Sequence, residues 1–196
     1  MTEIDVHRLS EIDRAKVIGT SGSGNDVRPV PRRAARAPIH RDGSHFLGTD
    51  WKEPPDEEFI PQVERIVDQS RWVLDGNYSR TTPVKWRRVQ LVVWLDMSFA
   101  RTLFRVSTRC VQRSLTQTEL WPGTGNRETL RKAFLSRKSI ILWAIKTFRR
   151  NRQRCSKIMG SQEYDHVWFV RLKSQRGVNA FLESARTALL ARGNKE

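Results

Sequence analysis

A glycine-rich turn early in the chain contains the first residues whose types and spacing could do chemistry. It follows the apolar run Val17-Ile18, and its residues are, in order, Gly19, Thr20, Ser21, Gly22, Ser23, Gly24, Asn25 and Asp26. Loops that bind phosphate have the pattern G-x-x-x-x-G-K-[ST], with backbone N–H groups around the anion at the start of a helix. The glycines fit this pattern, which makes these eight residues candidates for nucleotide binding. The alternative is a glycine-serine turn that binds no ligand.

The loop departs from the pattern at its last two positions. Asn25 replaces the lysine, so the cation that would meet the β and γ phosphates is missing. Asp26 replaces the hydroxyl that would ligate magnesium, and it adds negative charge beside the phosphates. Pro29, Pro31 and Pro38 fall in the expected following helix, where an interior proline costs about 3 kcal/mol. The sequence therefore predicts impaired phosphate binding.

Two carboxylates stand where apolar runs end. Asp75 ends the run Arg71-Trp72-Val73-Leu74, and Asp96 ends the nearly all-apolar QLVVWLD. In open α/β sheets ligands bind outside the carboxyl ends of the strands, so both are site candidates. Arg105 and Arg109 follow one helical turn apart on one face of a predicted helix. Such spacing also fits a solvated basic face.

The hydrophobic periodicity predicts alternating strands and helices. Strands are expected at 16–19, 71–75, 90–96 and 166–172, and helices at 56–69, 98–115, 127–154 and 178–190. This order predicts an α/β sandwich with a largely parallel sheet. We expect an N-terminal tail or short helix at 1–13 and a single domain at 14–196, with a basic helical segment at 116–157.

The composition predicts an anionic partner. The net charge of +15 suits a nucleotide, a nucleic acid or an anionic lipid. The two cysteines, Cys110 and Cys155, lack metal-type spacing, which favours a reduced cytoplasmic setting. No apolar run approaches a membrane span, so we expect no membrane partner. The absence of a nucleophile elbow argues against a serine or cysteine hydrolase.

Six segments together resemble the adenylate-kinase-like P-loop proteins, especially the small bacterial group described as DNA topology modulation or FlaR-like proteins. They are KVIGTSGSG (16–24), DWKEPPDEEF (50–59), RWVLDGNYSR (71–80), QLVVWLDM (90–97), ELWPGTGNRETL (119–130) and LSRKSIILWAIKTFRRNR (135–152). The resemblance implies a P-loop NTPase three-layer sandwich with a mainly parallel sheet and a helical, arginine-rich lid. It also implies a cytoplasmic phosphotransferase that uses ATP and Mg2+ on an undefined acceptor.

The same resemblance suggests roles for individual residues. Asp75 would act in catalysis beside the waters of the magnesium ion, and Asp96 would be the carboxylate nearest the metal. Arg80 would bind the acceptor, although it stands one place later than in the Asp-Gly-x-x-Arg turn of adenylate kinases. The alternative for Arg80 is a surface arginine after a hairpin turn. Of Arg105 and Arg109, one would pack on adenine and the other would reach the phosphates.

The lid implied by the resemblance contains several arginines that could close over the transferred phosphoryl group. They are Arg127, Arg131, Arg137, Arg149, Arg150 and Arg152. Arg127, in the GNRE stretch, is the best catalytic candidate among them, and we expect most of the others to be solvated.

Residues 25–49 match neither the family nor the helix that should follow a phosphate loop. We hypothesise that this stretch is out of frame, because a one-base shift of codons for Asn-Asp-Val-Arg-Pro can read Met-Thr-Phe-Ala-Arg, close to the run that relatives carry there. Resequencing the gene tests this, and a read with no missing base near Asn25 would exclude it. The alternative is a decayed, non-catalytic relative.

Three functions remain open from the sequence. The first is an ATP-dependent phosphotransferase that is impaired as written, and the second is an inactive relative that still binds a nucleotide. The third is a basic nucleic-acid-binding protein that tracks phosphates with residues 146–157, although no base-reading motif is evident. The acceptor and the oligomeric state are not predicted.

Overall fold

The computed structural model describes residues 4–20, 39–41, 55–76, 81–116 and 139–193, and these residues form an α/β fold. The strands are β1 (Arg14–Gly19), β2 (Ile39–Arg41), β3 (Trp72–Asp75), β4 (Leu91–Leu95) and β5 (Trp168–Leu172). The helices are α1 (Val6–Ser10), α2 (Asp56–Val67), α3 (Thr82–Trp86), α4 (Phe99–Thr116), α5 (Ile140–Met159) and α6 (Gln175–Gly193). A 3-10 turn at Gln162–Tyr164 precedes β5.

The strands form one sheet in the order β2-β3-β1-β4-β5, and every neighbouring pair is parallel. The central strand β1 pairs Val17 with Asp75 of β3 and Gly19 with Leu95 of β4. Because all pairs are parallel, the carboxyl ends of the strands meet at one edge of the sheet. The predicted α/β class with a parallel sheet is confirmed.

The sheet is covered on both faces, which explains the apolar run in β4. Side chains alternate along a strand, so Val92 and Trp94 join the core under α2 while Val93 and Leu95 join the core under α6. All five residues of β4 are buried. A strand buried on both faces reads as a continuous hydrophobic run, and this makes it easy to recognise in the sequence.

Helices α4 and α5 pack against each other as an antiparallel hairpin. Val106 of α4 shares a buried cluster with Ile141 and Ala144 near the start of α5. At the other end, Phe99 and Phe148 meet edge to face with ring centroids 5.2 Å apart. Helix α5 is the longest at 20 residues, yet none of the helices within the described ranges is long and apolar enough to cross a membrane.

The structure differs from the sequence-based expectation mainly in short elements. Within residues 1–13, Val6–Ser10 form helix α1, and Leu9 is buried against α6. Strand β2 lies inside the anomalous stretch 25–49, and helix α3 has no counterpart among the predicted elements. A helix of five residues spans little more than one turn, which is too short to show a helical hydrophobic period.

The predicted long basic helix is only partly within the described residues. Helix α5 begins after Ser139, whose Oγ accepts hydrogen bonds from the backbone N–H groups of Ile141 at 3.2 Å and Leu142 at 3.4 Å. Such an N-cap satisfies donors that have no partner within the helix. The helix then continues five residues beyond the predicted end and stops at Gly160.

Candidate anion-binding site at the carboxyl edge of the sheet

Three of the predicted site positions lie at the same edge of the sheet. Gly19 ends β1, Asp75 ends β3 on one side, and Asp96 directly follows β4 on the other side. The chain crosses from β3 over β1 to β4, so the winding of the sheet reverses here, where open α/β sheets form their ligand crevice. The parallel pairing brings together residues that are far apart in the sequence.

Gly76 directly follows Asp75 at this edge. Its backbone φ is 147°, a conformation that side-chain-bearing residues rarely adopt, and its N–H donates to the carbonyl of Val17 at 3.2 Å. This hydrogen bond continues the β1–β3 ladder by one step beyond the last strand residue. The glycine therefore sets the position of Asp75 relative to the end of β1.

Asp96 is a buried carboxylate that two arginines neutralise. Its side chain is 3% exposed, and its backbone N–H donates to the carbonyl of Leu172 at 2.9 Å. Arg171 donates to Oδ2 through both Nε, at 2.9 Å, and Nη2. Nε of Arg152 lies 3.1 Å from Oδ1. Both carboxylate oxygens are thus engaged, and the three side chains together carry one net positive charge.

The two arginines are held differently. Arg171 of β5 pairs in register with Trp94 of β4, so the two side chains share a face, and the guanidinium lies 4.3 Å from the centre of the Trp94 ring. Arg152 projects from α5, and its side chain is 46% exposed, against 27% for Arg171. Arg171 is therefore the fixed partner of Asp96, whereas Arg152 is the partner that solvent or an arriving anion can reach.

Two further side chains that can carry a charge are buried near this ion-pair cluster. Lys16 of β1 is 3% exposed and Cys155 of α5 is 5% exposed. Burial raises the pKa of the Cys155 thiol above its ordinary value of 9.0; the charge of Arg154 opposes the rise, that of Asp96 adds to it, and that of Lys16 opposes it. The thiol is therefore neutral near pH 7 and is not an activated nucleophile.

Arg105 and Arg109 are partly buried rather than fully solvated. Nη2 of Arg105 donates to Oε1 of Gln175 at 2.7 Å, which ties α4 to the start of α6. Gln175 in turn donates to Asn179 at 2.9 Å. The predicted contact of these two arginines with a nucleotide stays a prediction.

Several predicted site residues fall outside the described residues. They are Ser21, Gly22, Ser23, Gly24, Asn25, Asp26, Arg80 and Arg127. Thr20 is described and partly buried, directly after β1. Arg171 was not among the sequence candidates, although an arginine inside the apolar strand HVWFVRL was a signal for a buried partner.

The expected role of Asp96 as a metal ligand stays a prediction, because both of its oxygens contact arginines in this structure. Arg152 and Arg171 already occupy its oxygens, and a cation would have to displace a guanidinium to bind there. The described part of the chain also contains no group of three or more His, Cys, Asp or Glu residues that could hold a metal ion. The cluster suits an anion better, because guanidinium groups bind phosphate or carboxylate through paired hydrogen bonds.

The comparisons with known proteins do not assign the chain to a family. No protein-family model matches it, and no curated protein matches it. The resemblance to the adenylate-kinase-like proteins therefore stays a prediction from the sequence.

Proposed function

We propose that this protein binds ATP through its polyphosphate at the carboxyl edge of the sheet, on the scaffold of an adenylate-kinase-like phosphotransferase. The observation that supports this most directly is the placement of Gly19 at the end of the central strand, between Asp75 and the Asp96 cluster. A glycine-ended central strand at the point where the winding reverses is where phosphate loops begin in such folds.

The charge at this edge supports an anionic ligand. Arg152 is half exposed and pairs with only one oxygen of Asp96, so a phosphate can compete for its guanidinium. Arg171 would keep Asp96 neutralised when Arg152 turns to the ligand, because it donates to the carboxylate through two nitrogens and is held by Trp94. When Arg152 exchanges the carboxylate of Asp96 for a phosphate, every buried charge still has a partner.

The protein as written is expected to be a poor catalyst. Phosphoryl transfer depends on positioning and on cations that stabilise the charge of the phosphoryl group. Asn25 stands where the pattern has lysine, so the loop supplies no cation to the phosphates, and Asp26 adds an anion beside them. We assign no step to magnesium, and the acceptor stays undefined.

Calorimetric titration with ATP tests the proposal, with and without Mg2+. The wild-type chain is compared with Asn25→Lys/Asp26→Ser, which restores the expected loop. The matched control is Gln162→Lys/Asp165→Ser, which makes the same charge change at two exposed positions before β5. We expect weak binding by the wild type and by the control, and clearly tighter binding by the repaired loop.

The other results have definite meanings. Equal gains in the repaired and control variants would show that binding follows net charge alone, and this would contradict a defined phosphate site. No binding by any of the three would also contradict the proposal. Binding by the repaired loop without turnover of ATP would support the second reading from the sequence, an inactive relative that still binds nucleotide.

A further inference from the structure

The exposed apolar side chains of this protein are concentrated on the α4–α5 hairpin. Within the described residues, nine large hydrophobic side chains are exposed, and eight of them lie on these two helices. They are Phe99, Phe104, Val111, Leu115, Leu142, Trp143, Ile145 and Met159, with exposures from 36% to 72%. The ninth is Leu190 on α6. Apolar exposure that is concentrated on two packed helices in this way is typical of an interaction surface.

The same hairpin carries only positive charge. Helix α4 contains four Lys or Arg residues, helix α5 contains six, and neither contains Asp or Glu. On α5, Lys146, Arg149 and Arg150 are exposed and follow directly after the exposed Trp143 and Ile145. Apolar side chains and cations are therefore neighbours in the first half of α5.

The exposed apolar side chains at the start of α5, which are Leu142, Trp143 and Ile145, lie away from the Asp96 cluster. Because α4 and α5 are antiparallel, Val106 and Cys110 in the middle of α4 lie beside Ile141 and Ala144 at the start of α5. Arg152, which contacts Asp96, is nine residues further along α5 than Trp143, or about 13 Å at 1.5 Å per residue. Leu142 and Trp143 can therefore be substituted without altering the proposed nucleotide site.

We propose that the α4–α5 hairpin docks on the surface of a bilayer that contains anionic phospholipid. Exposed Leu, Ile, Phe and Trp side chains enter the boundary between headgroups and acyl chains, and nearby lysines and arginines bind the anionic headgroups. This is peripheral binding, which requires no spanning helix. It does not depend on the proposed ATP site.

Two other occupants fit the hairpin less well. Single-stranded nucleic acid binds through bases stacked on aromatic rings, and only three of the eight exposed apolar side chains are aromatic: Phe99, Phe104 and Trp143. A second copy of the chain would bring two acid-free basic surfaces together, and like charges in contact oppose association. A bilayer with anionic headgroups matches both the aliphatic side chains and the charge.

Sedimentation of the full chain with vesicles tests this proposal. The vesicles contain phosphatidylcholine alone, or phosphatidylcholine with about one third phosphatidylserine. We expect binding to the anionic vesicles only, weakening as salt is added. Leu142→Ser/Trp143→Ser should lower the partition coefficient by about tenfold, whereas Leu190→Ser, at a more exposed apolar position outside the hairpin, should leave it unchanged.

The charge is tested in the same way. Lys146→Gln/Arg149→Gln/Arg150→Gln should lower binding to anionic vesicles by about tenfold or more, since each cation near the surface adds to the attraction. The control, Arg65→Gln/Arg87→Gln/Arg186→Gln, removes three exposed cations from other elements and should have a small effect. Circular dichroism of every variant confirms that the fold is retained.

Four results would overturn the proposal. They are failure of the wild type to sediment with anionic vesicles, equal sedimentation with neutral vesicles, equal losses in hairpin and control variants, and retention of binding by both hairpin variants. Binding of single-stranded DNA or self-association, lost with the same substitutions while vesicles are not bound, would assign the surface to those partners instead. ATP titration of Leu142→Ser/Trp143→Ser keeps the two proposals separate, because it should match the wild type.

Discussion

Arg152 reaches from α5 to Asp96 at the end of β4, with its Nε atom 3.1 Å from Oδ1. The contact joins the basic helix to the edge of the sheet where Gly19 ends the central strand. Sequence reasoning had assigned Asp96 to a metal and Arg152 to a lid. In the structure the two side chains are partners, and four predictions follow from this cluster and its surroundings.

Replacing Asp96 with Asn should destabilise the fold and strengthen anion binding at the same time. The substitution leaves Arg171 partly buried without its carboxylate, so we expect the free energy of unfolding to fall by about 2 kcal/mol, less than for a fully buried pair. It also releases Arg152 for a phosphate. Chemical denaturation measures the first effect and phosphate titration measures the second, with Asp165→Asn, at an exposed position, as the control. A variant as stable as the wild type would contradict the structural role of Asp96.

Replacing Arg152 with Ala should weaken ATP binding with little loss of stability. The arginine is 46% exposed, and exposed ion pairs contribute about 0.2–1 kcal/mol, so the unfolding free energy should change by no more than this. Arg150→Ala removes an exposed cation from the same helix without an Asp96 contact and serves as the matched control. The affinity of the Arg152 variant should fall below that of the control. Equal affinities would remove Arg152 from the proposed site.

Replacing Gly76 with Ala should lower stability more than the same change at Gly160. Gly76 has a φ of 147°, and a side chain in such a conformation costs about 1–3 kcal/mol. At Gly160 the φ is −97° and the nearest atom to an added Cβ is 3.6 Å away, so that substitution should be nearly neutral. Thermal unfolding of the two variants compares them directly. Equal melting temperatures would contradict a requirement for glycine at position 76.

The Cys155 thiol should make the stability of the protein depend on pH in the alkaline range. Burial raises its pKa in the folded state, whereas the unfolded thiol titrates near 9.0. The folded state then holds a proton that the unfolded state loses, so this stabilisation is complete below about pH 9 and decreases as the pH rises further.

The measurement is the difference in unfolding free energy between the wild type and Cys155→Ala. Taking this difference removes the contributions of other groups, including Tyr164, whose pKa is also raised, mainly by burial. It should be constant between about pH 7 and 9 and then shrink. A difference that stays constant to about pH 10.5 would show that the thiol ionises equally in both states.

Much of the fold could be predicted from hydrophobic periodicity alone. The run LVVWL had to be a strand covered on both faces, and the spacing of Phe59, Val63, Ile66 and Val67 had to be one side of a helix. The alternation of such segments determined the α/β class, because strands that alternate with helices form parallel sheets. Asp75 and Asp96 were also recognisable as strand ends, since each directly follows an apolar run.

Other features depended on the tertiary structure. The strand order brings Arg171 within hydrogen-bonding distance of Asp96 across 75 residues, and no local pattern encodes a contact over that separation. The place of β2 at the edge of the sheet and the antiparallel packing of α4 on α5 likewise result from pairing between distant segments. The sequence by itself determined which residues are apolar, which are charged and where the chain turns. Only the folded chain decided which charges meet, because an ion pair forms where the packing of the core brings two side chains together.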